Sequence, residues 1–142
     1  MRKINLIIIH CTATLEGMDF KAKDIDKWHK QKGWKGIGYH YVIDLDGKIE
    51  KGRPEEEIGA HCVGKNKNSI GIVYVGGLNA KGQPCDTRTK EQKEALWELL
   101  RQLLVKYPKA TIHGHNEFIN KACPCFNVRE SYNIINLRDN IN

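Results

Sequence analysis

The sequence predicts an α/β fold, a mixed central β-sheet flanked by helices, on three observations. Ile4 to His10 is a nearly continuous apolar run, which suits a central strand covered on both faces. Leu96, Leu99, Leu100, Leu103 and Leu104 recur at helical intervals and mark an amphipathic helix. Strand-like and helix-like segments alternate along the rest of the chain, as they do when helices pack on the faces of a sheet.

In chain order, Ile4 to His10 is the first strand, ending where His10 can project into a cleft. Lys21 to Lys32 spaces Ile25, Trp28 and His29 helically, and Gly33 is the stop. Tyr39 to Leu45 and Lys48 to Lys51 flank Asp46-Gly47, a hairpin-turn dipeptide. Ser69 to Val75 is β-branched and apolar, so it reads as an interior strand, and it ends at Gly76-Gly77. Thr89 and Gln92 form a capping box for the long helix, which closes at Tyr107-Pro108. Ala110 to His113 is a short strand, and Asn127 caps a last helix bearing Val128, Tyr132 and Ile135 on one face.

The chain has 142 residues, 40% hydrophobic and 28% charged, with no repeat, low-complexity tract or linker, so one domain over residues 1–142 is expected. Met1-Arg2-Lys3 before the apolar run superficially resembles a signal peptide, but the run is short and closes on His10-Cys11 without a small-residue cleavage site. The expectation is therefore a protein made in the cytoplasm, with no signal peptide and no membrane insertion. The five cysteines (Cys11, Cys62, Cys85, Cys123, Cys125) are an odd set without regular spacing, which points to reduced thiols or metal ligands, not a disulfide framework. A net charge of +6 and a pI near 9.1 favour an anionic partner such as cell-wall polymer, nucleic acid or a membrane surface. The absence of a nucleic-acid motif or concentrated basic block argues against specific nucleic-acid binding. Gly76-Gly77 lacks the glycine spacing and the Lys-Ser/Thr of a nucleotide loop.

Six histidines, His10, His29, His40, His61, His113 and His115, fall at strand ends or in glycine-rich loops. Catalytic zinc takes three protein ligands and leaves a fourth position open. Candidates are His10, one of His113 or His115, and Cys123 or Cys125. There is no HExxH, and Cys123-Pro124-Cys125 lacks the two-residue gap of a zinc knuckle. Strand alternation puts His113 and His115 on one face, so the pattern leaves that choice open. His10 and Cys11 also read simply as buried core.

Several stretches resemble the type 2 N-acetylmuramoyl-L-alanine amidases, especially the phage lysozyme-type members. They are Ile9-His10-Cys11-Thr12-Ala13-Thr14, Trp28-His29-Lys30, Gly38-Tyr39-His40-Tyr41, Asn68-Ser69-Ile70-Gly71 with Val75-Gly76-Gly77, and His115-Asn116-Glu117 with Lys121-Ala122-Cys123-Pro124. Their order and spacing run from about Asn5 to Phe126. The resemblance implies a peptidoglycan recognition protein-like single domain, one zinc ion (Zn2+), and hydrolysis of the amide between N-acetylmuramic acid and L-alanine.

The resemblance puts the zinc ligands on His10, His115 and Cys123, which makes His113 a neighbour, packed or hydrogen-bonded beside the site. It puts further catalytic positions on Tyr39 and Lys121. A lysine near the metal can stabilise the oxyanion of amide hydrolysis, and the tyrosine hydroxyl can orient water, donate to the oxyanion or relay a proton. His61, in the matching Ile58-Gly59-Ala60-His61 loop, is expected to line the substrate groove or bond the peptide stem. His40 should point to the opposite side of its strand from Tyr39 in a structural role, or orient a zinc histidine. Glu117 is left out of the catalytic set as a turn carboxylate. Cys125 stands where the phage members usually carry serine.

The implied function is that of a phage or prophage lysin acting on peptidoglycan, reaching the cell wall when the membrane is breached. Alternatives are a cytoplasmic amidase of muropeptide recycling, and a non-catalytic peptidoglycan-binding protein or regulator with a protein partner. Retention of Tyr39 and Lys121 beside the ligand set favours the enzyme, because a pure binder has no chemical need for them.

Overall fold

A computed structural model describes residues 2–132. In chain order its elements are β1 (Leu6–Cys11), β2 (Thr14–Leu15), α1 (Ala22–Gln31), β3 (Tyr41–Ile43), β4 (Ile49–Lys51), β5 (Ser69–Tyr74), β6 (Gly77–Leu78), α2 (Lys90–Lys106), β7 (Thr111–Gly114) and α3 (Val128–Ser131). The main sheet runs β4-β3-β5-β1-β7. It is mixed, as expected: β1 pairs in parallel with β5 and β7, β3 pairs in parallel with β5, and β3 pairs antiparallel with β4. β2 and β6 form a separate parallel pair beyond the ends of β1 and β5.

The alternation of β1 builds both layers. Ile7, Ile9 and Cys11 join Ile70, Ile72 and Tyr74 of β5 in the core that receives Leu96, Leu99, Leu100, Leu103 and Leu104 of α2. On the opposite face Ile25 of α1 packs with Ile37, Val42, Val73 and Val75. Leu100 is fully buried between helix and sheet. Leu100→Ala is expected to cost about 2–5 kcal/mol, read as a lowered denaturant midpoint with unchanged slope.

The caps follow the sequence closely. Thr89 Oγ1 accepts from Gln92 N at 3.0 Å and Gln92 Oε1 accepts from Thr89 N at 3.0 Å. Gln92, fully buried, also donates through Nε2 to the carbonyls of Ile43 and Val75, tying the helix start to two strand ends. Asn127 Oδ1 accepts from Glu130 N and caps α3. Ile135, expected on that helix, lies outside the described residues.

Element ends shift by a residue or two, with one difference that matters. β3 starts at Tyr41, so Tyr39 sits in the segment leading into the strand, and β3 ends at Ile43 because the turn begins at Asp44. Gly47 N bonds Asp44 O, and Gly47 takes φ 88° against Glu91, leaving no room for a side chain. The pairs β2 and β6 had no sequence signal, being two residues each.

Asp44 carries a pH-dependent term. It is fully buried, with Oδ2 3.4 Å from Lys21 Nζ and Oδ1 without a hydrogen-bond partner among the described residues. Burial, reinforced by neighbouring Glu50, pushes its carboxyl from 3.8 up to about 7. The folded state therefore holds this proton more tightly than the unfolded chain. Its contribution is full below pH 3.8 and is lost as pH rises through about 7. Asp44→Asn should flatten that fall and gain about 1–3 kcal/mol near pH 8. Urea unfolding at pH 4 and pH 8 checks this, and an unchanged pH slope in the variant would sink the assignment.

Candidate metal centre and catalytic cleft

Because Ile7, Ile9 and Cys11 face α2, the same alternation sends His10 to the opposite face, where its partner in the β1–β5 register is Val73. His10 is buried there. β7 ends beside β1, and the chain turns at once into a short 3₁₀ turn that begins with His115. Cys123 arrives from the next loop. That loop is anchored by Tyr74 Oη donating to Pro124 O at 2.5 Å and by Cys125 N bonding Ala122 O at 2.6 Å, with Cys125 at φ 70°. The Cys123–Pro124 peptide is cis.

The side chains of His10, His115 and Cys123 converge, with one ligand atom from each within 4.8 Å of the others. The His10 and His115 ring centroids are 4.4 Å apart. Cys11 N donates to Cys123 Sγ at 3.2 Å. Tyr39 lies against the group, 5.1 Å from the His10 ring and 5.5 Å from that of His29. His29 Nδ1 accepts from Gly38 N at 2.9 Å, which fixes the approach to Tyr39. A cleft of about 460 Å³ adjoins the group at His115, with Trp34, Tyr39, His61 and Lys121 also among its walls.

The electrostatics keep these groups ready to ligate. Burial, with His61 and His115 nearby, holds His10 well below the ordinary histidine value. Burial and then Lys121 lower His115. Both imidazoles are therefore neutral near pH 7, the form that binds metal. Hydrogen bonding from the Cys11 thiol lowers Cys123, helped by the Cys11 backbone N–H and by Lys121. Burial, with Cys123 and Cys11 beyond it, raises the Tyr39 phenol, so its hydroxyl stays protonated.

The alternatives that spacing left open separate cleanly. His113 bonds Glu117 Oε1 at 2.9 Å and Thr111 Oγ1 at 2.7 Å and is not part of the group. Glu117 also accepts from Gly114 N at 2.7 Å and lies 3.4 Å from Arg129, a local structural role. Cys125 Sγ sits 3.8 Å from Cys11 Sγ, and all five cysteines are free thiols. His40 is buried, accepts from Gly71 N at 3.0 Å and pairs with Glu57 O and Arg2, away from Tyr39. His61 borders the cleft, and both its ring nitrogens have protein partners. Sequence reasoning did not find Trp34 in the cleft wall or Ser69 behind His61; neither had a spacing signal.

The N-acetylmuramoyl-L-alanine amidase family profile matches residues 1–126. An endolysin of Enterobacteria phage K11 is 42% identical over 121 residues, 85% of this chain and 80% of that protein. The structure of N-acetylmuramoyl-L-alanine amidase LysC from Clostridium intestinale URNW superposes with a TM-score of 0.81 at 34% identity, covering 95% of this chain and 87% of that one. A structure of tracheal cytotoxin bound to the ectodomain complex of the peptidoglycan recognition proteins LCa and LCx matches at 29% identity with a TM-score of 0.71, covering 87% of this chain and 77% of that one. Two histidines and a cysteine that converge at the ends of a mixed sheet, beside a cleft walled by a tyrosine and a lysine, join these likenesses in one assignment: the chain belongs to the N-acetylmuramoyl-L-alanine amidase family.

Proposed function

We propose that the chain acts as a single-domain, zinc-dependent phage-type lysin that hydrolyses the amide between N-acetylmuramic acid and L-alanine in bacterial peptidoglycan. The observation that carries the metal is the convergence of His10, His115 and Cys123 to within 4.8 Å. Two imidazoles kept neutral by burial and a thiol whose pKa is lowered make a mixed nitrogen and sulfur donor set that fits zinc, and three protein donors are the number a catalytic zinc takes.

When bound, zinc supplies Lewis acidity toward the scissile carbonyl and toward water. Trp34 and Tyr39 offer apolar walls to the substrate, and Lys121 places a positive charge over the same cleft. As the carbonyl oxygen gains charge, Lys121 stabilises it. The Tyr39 hydroxyl, kept protonated, donates a hydrogen bond to that oxygen or to the departing amine. The net charge of +6 concentrates the protein on an anionic wall. No helix among the described residues is long and apolar enough to cross a membrane.

Release of free L-alanine amino termini from purified peptidoglycan tests the reading. Native protein is expected to release them, chelated protein to fail, and zinc to restore activity. Zinc-loaded, folded protein inactive on both sacculi and soluble muropeptides would overturn it.

A further inference from the structure

Both ring nitrogens of His61 are engaged inside the protein. Nδ1 lies 2.8 Å from His10 Nε2, and Nε2 lies 3.1 Å from Ser69 Oγ. All three side chains are buried. Ser69 and Gly71 stand on the face of β5 that carries Val73, the register partner of His10, so strand alternation lines up the row.

The ring is closely seated. Asn66 Oδ1 accepts from the N–H groups of His61 and Cys62, each at 2.9 Å. The His61 and His10 rings meet edge-on, with centroids 4.9 Å apart. A Cβ on Gly71 would come within 2.6 Å of the imidazole, and one on Gly59 within 2.8 Å. The two glycines leave the space that the imidazole occupies.

We propose that His61 is a positioning residue for the metal histidine, and that the row Ser69, His61, His10 fixes which nitrogen of His10 faces the ion. The proposal rests on the zinc reading above. A neutral imidazole ligand presents its bare nitrogen to the metal and carries its proton on the other. His10 Nε2 is held against His61, while Nδ1 has no hydrogen-bond partner among the described residues. His10 therefore donates Nε2–H to His61 Nδ1 and presents Nδ1 to zinc. His61 in turn donates Nε2–H to Ser69 Oγ. The reverse polarity would put the proton of His10 on Nδ1 and block ligation.

Zinc affinity by competition with a chromophoric chelator, together with the visible spectrum of the cobalt(II)-substituted protein, tests this. His61→Ala is expected to weaken zinc binding by about 10–100-fold and to alter the cobalt spectrum. His61→Asn, whose Oδ1 can accept at the position of Nδ1, should restore most of the affinity. Gly71→Ala, which removes no polar atom but displaces the ring, should weaken zinc binding as His61→Ala does. A folded His61→Ala protein with native zinc affinity and only a raised KM overturns the proposal in favour of direct substrate contact. If His61→Ala does not fold, Ser69→Ala decides: a severalfold loss of zinc affinity supports the row, and native affinity overturns it. Cys123→Ser separates the two readings. Loss of zinc there with retention in His61→Ala refutes only the row, whereas retention in both refutes the metal site itself.

Discussion

Cys123→Ser is expected to lose its bound zinc and to cut peptidoglycan at least about a thousandfold more slowly than the native protein, with the fold intact. The Cys123 thiol is held below the ordinary cysteine value by hydrogen bonding from Cys11 and by Lys121, which favours the thiolate that ligates metal. A serine hydroxyl in its place keeps its proton and is a hard, weak ligand. The packing cost is small, because Cys123 is only partly buried and its loop is anchored through Pro124 and Cys125. Zinc content measured beside the release of amino termini decides the point. A Cys123→Ser protein with stoichiometric zinc and native activity would remove Cys123 from the ligand set, and Cys125 would not be its replacement, since its sulfur faces Cys11.

Lys121→Ala is expected to lower kcat about 100–1,000-fold while leaving zinc bound and KM little changed. Lys121 lines the cleft and is close enough to His115 and Cys123 to depress both. Its charge is solvated before reaction, so it is worth most when negative charge develops on the carbonyl oxygen. Loss of one such stabilising group costs about 2.7–4 kcal/mol in the transition state. A KM rise at constant kcat would make Lys121 a substrate-binding residue instead. Tyr39→Phe should act in the same direction, because it removes the hydroxyl while keeping the ring that packs 5.1 Å from His10.

The fold class was legible because its signals are local and repeated. The leucine stripe of α2, the Thr89–Gln92 cap and the β-branched run of β5 each dictate one element whatever their surroundings. The site was legible only as candidates. Spacing could name His10, His113 or His115, and Cys123 or Cys125, but a metal site is a meeting of distant segments, and nothing local says which imidazole arrives. The family resemblance narrowed the set to His10, His115 and Cys123, and the structure brings those ligand atoms together.

By itself, then, the sequence determined the main strands and helices, the caps of α2 and α3 and the family, since hydrophobic period, capping geometry and motif order are properties of neighbours along the chain. Tertiary structure alone decided that the register of β1 on β5 turns His10 toward His61 and Ser69, that Gly71 leaves space for the ring between them, and that His113 is satisfied by Thr111 and Glu117. Those outcomes depend on which backbones pack against each other across long stretches of chain: His10 and His61 stand 51 positions apart, and Ser69 Oγ, His61 and His10 line up only after the sheet has formed.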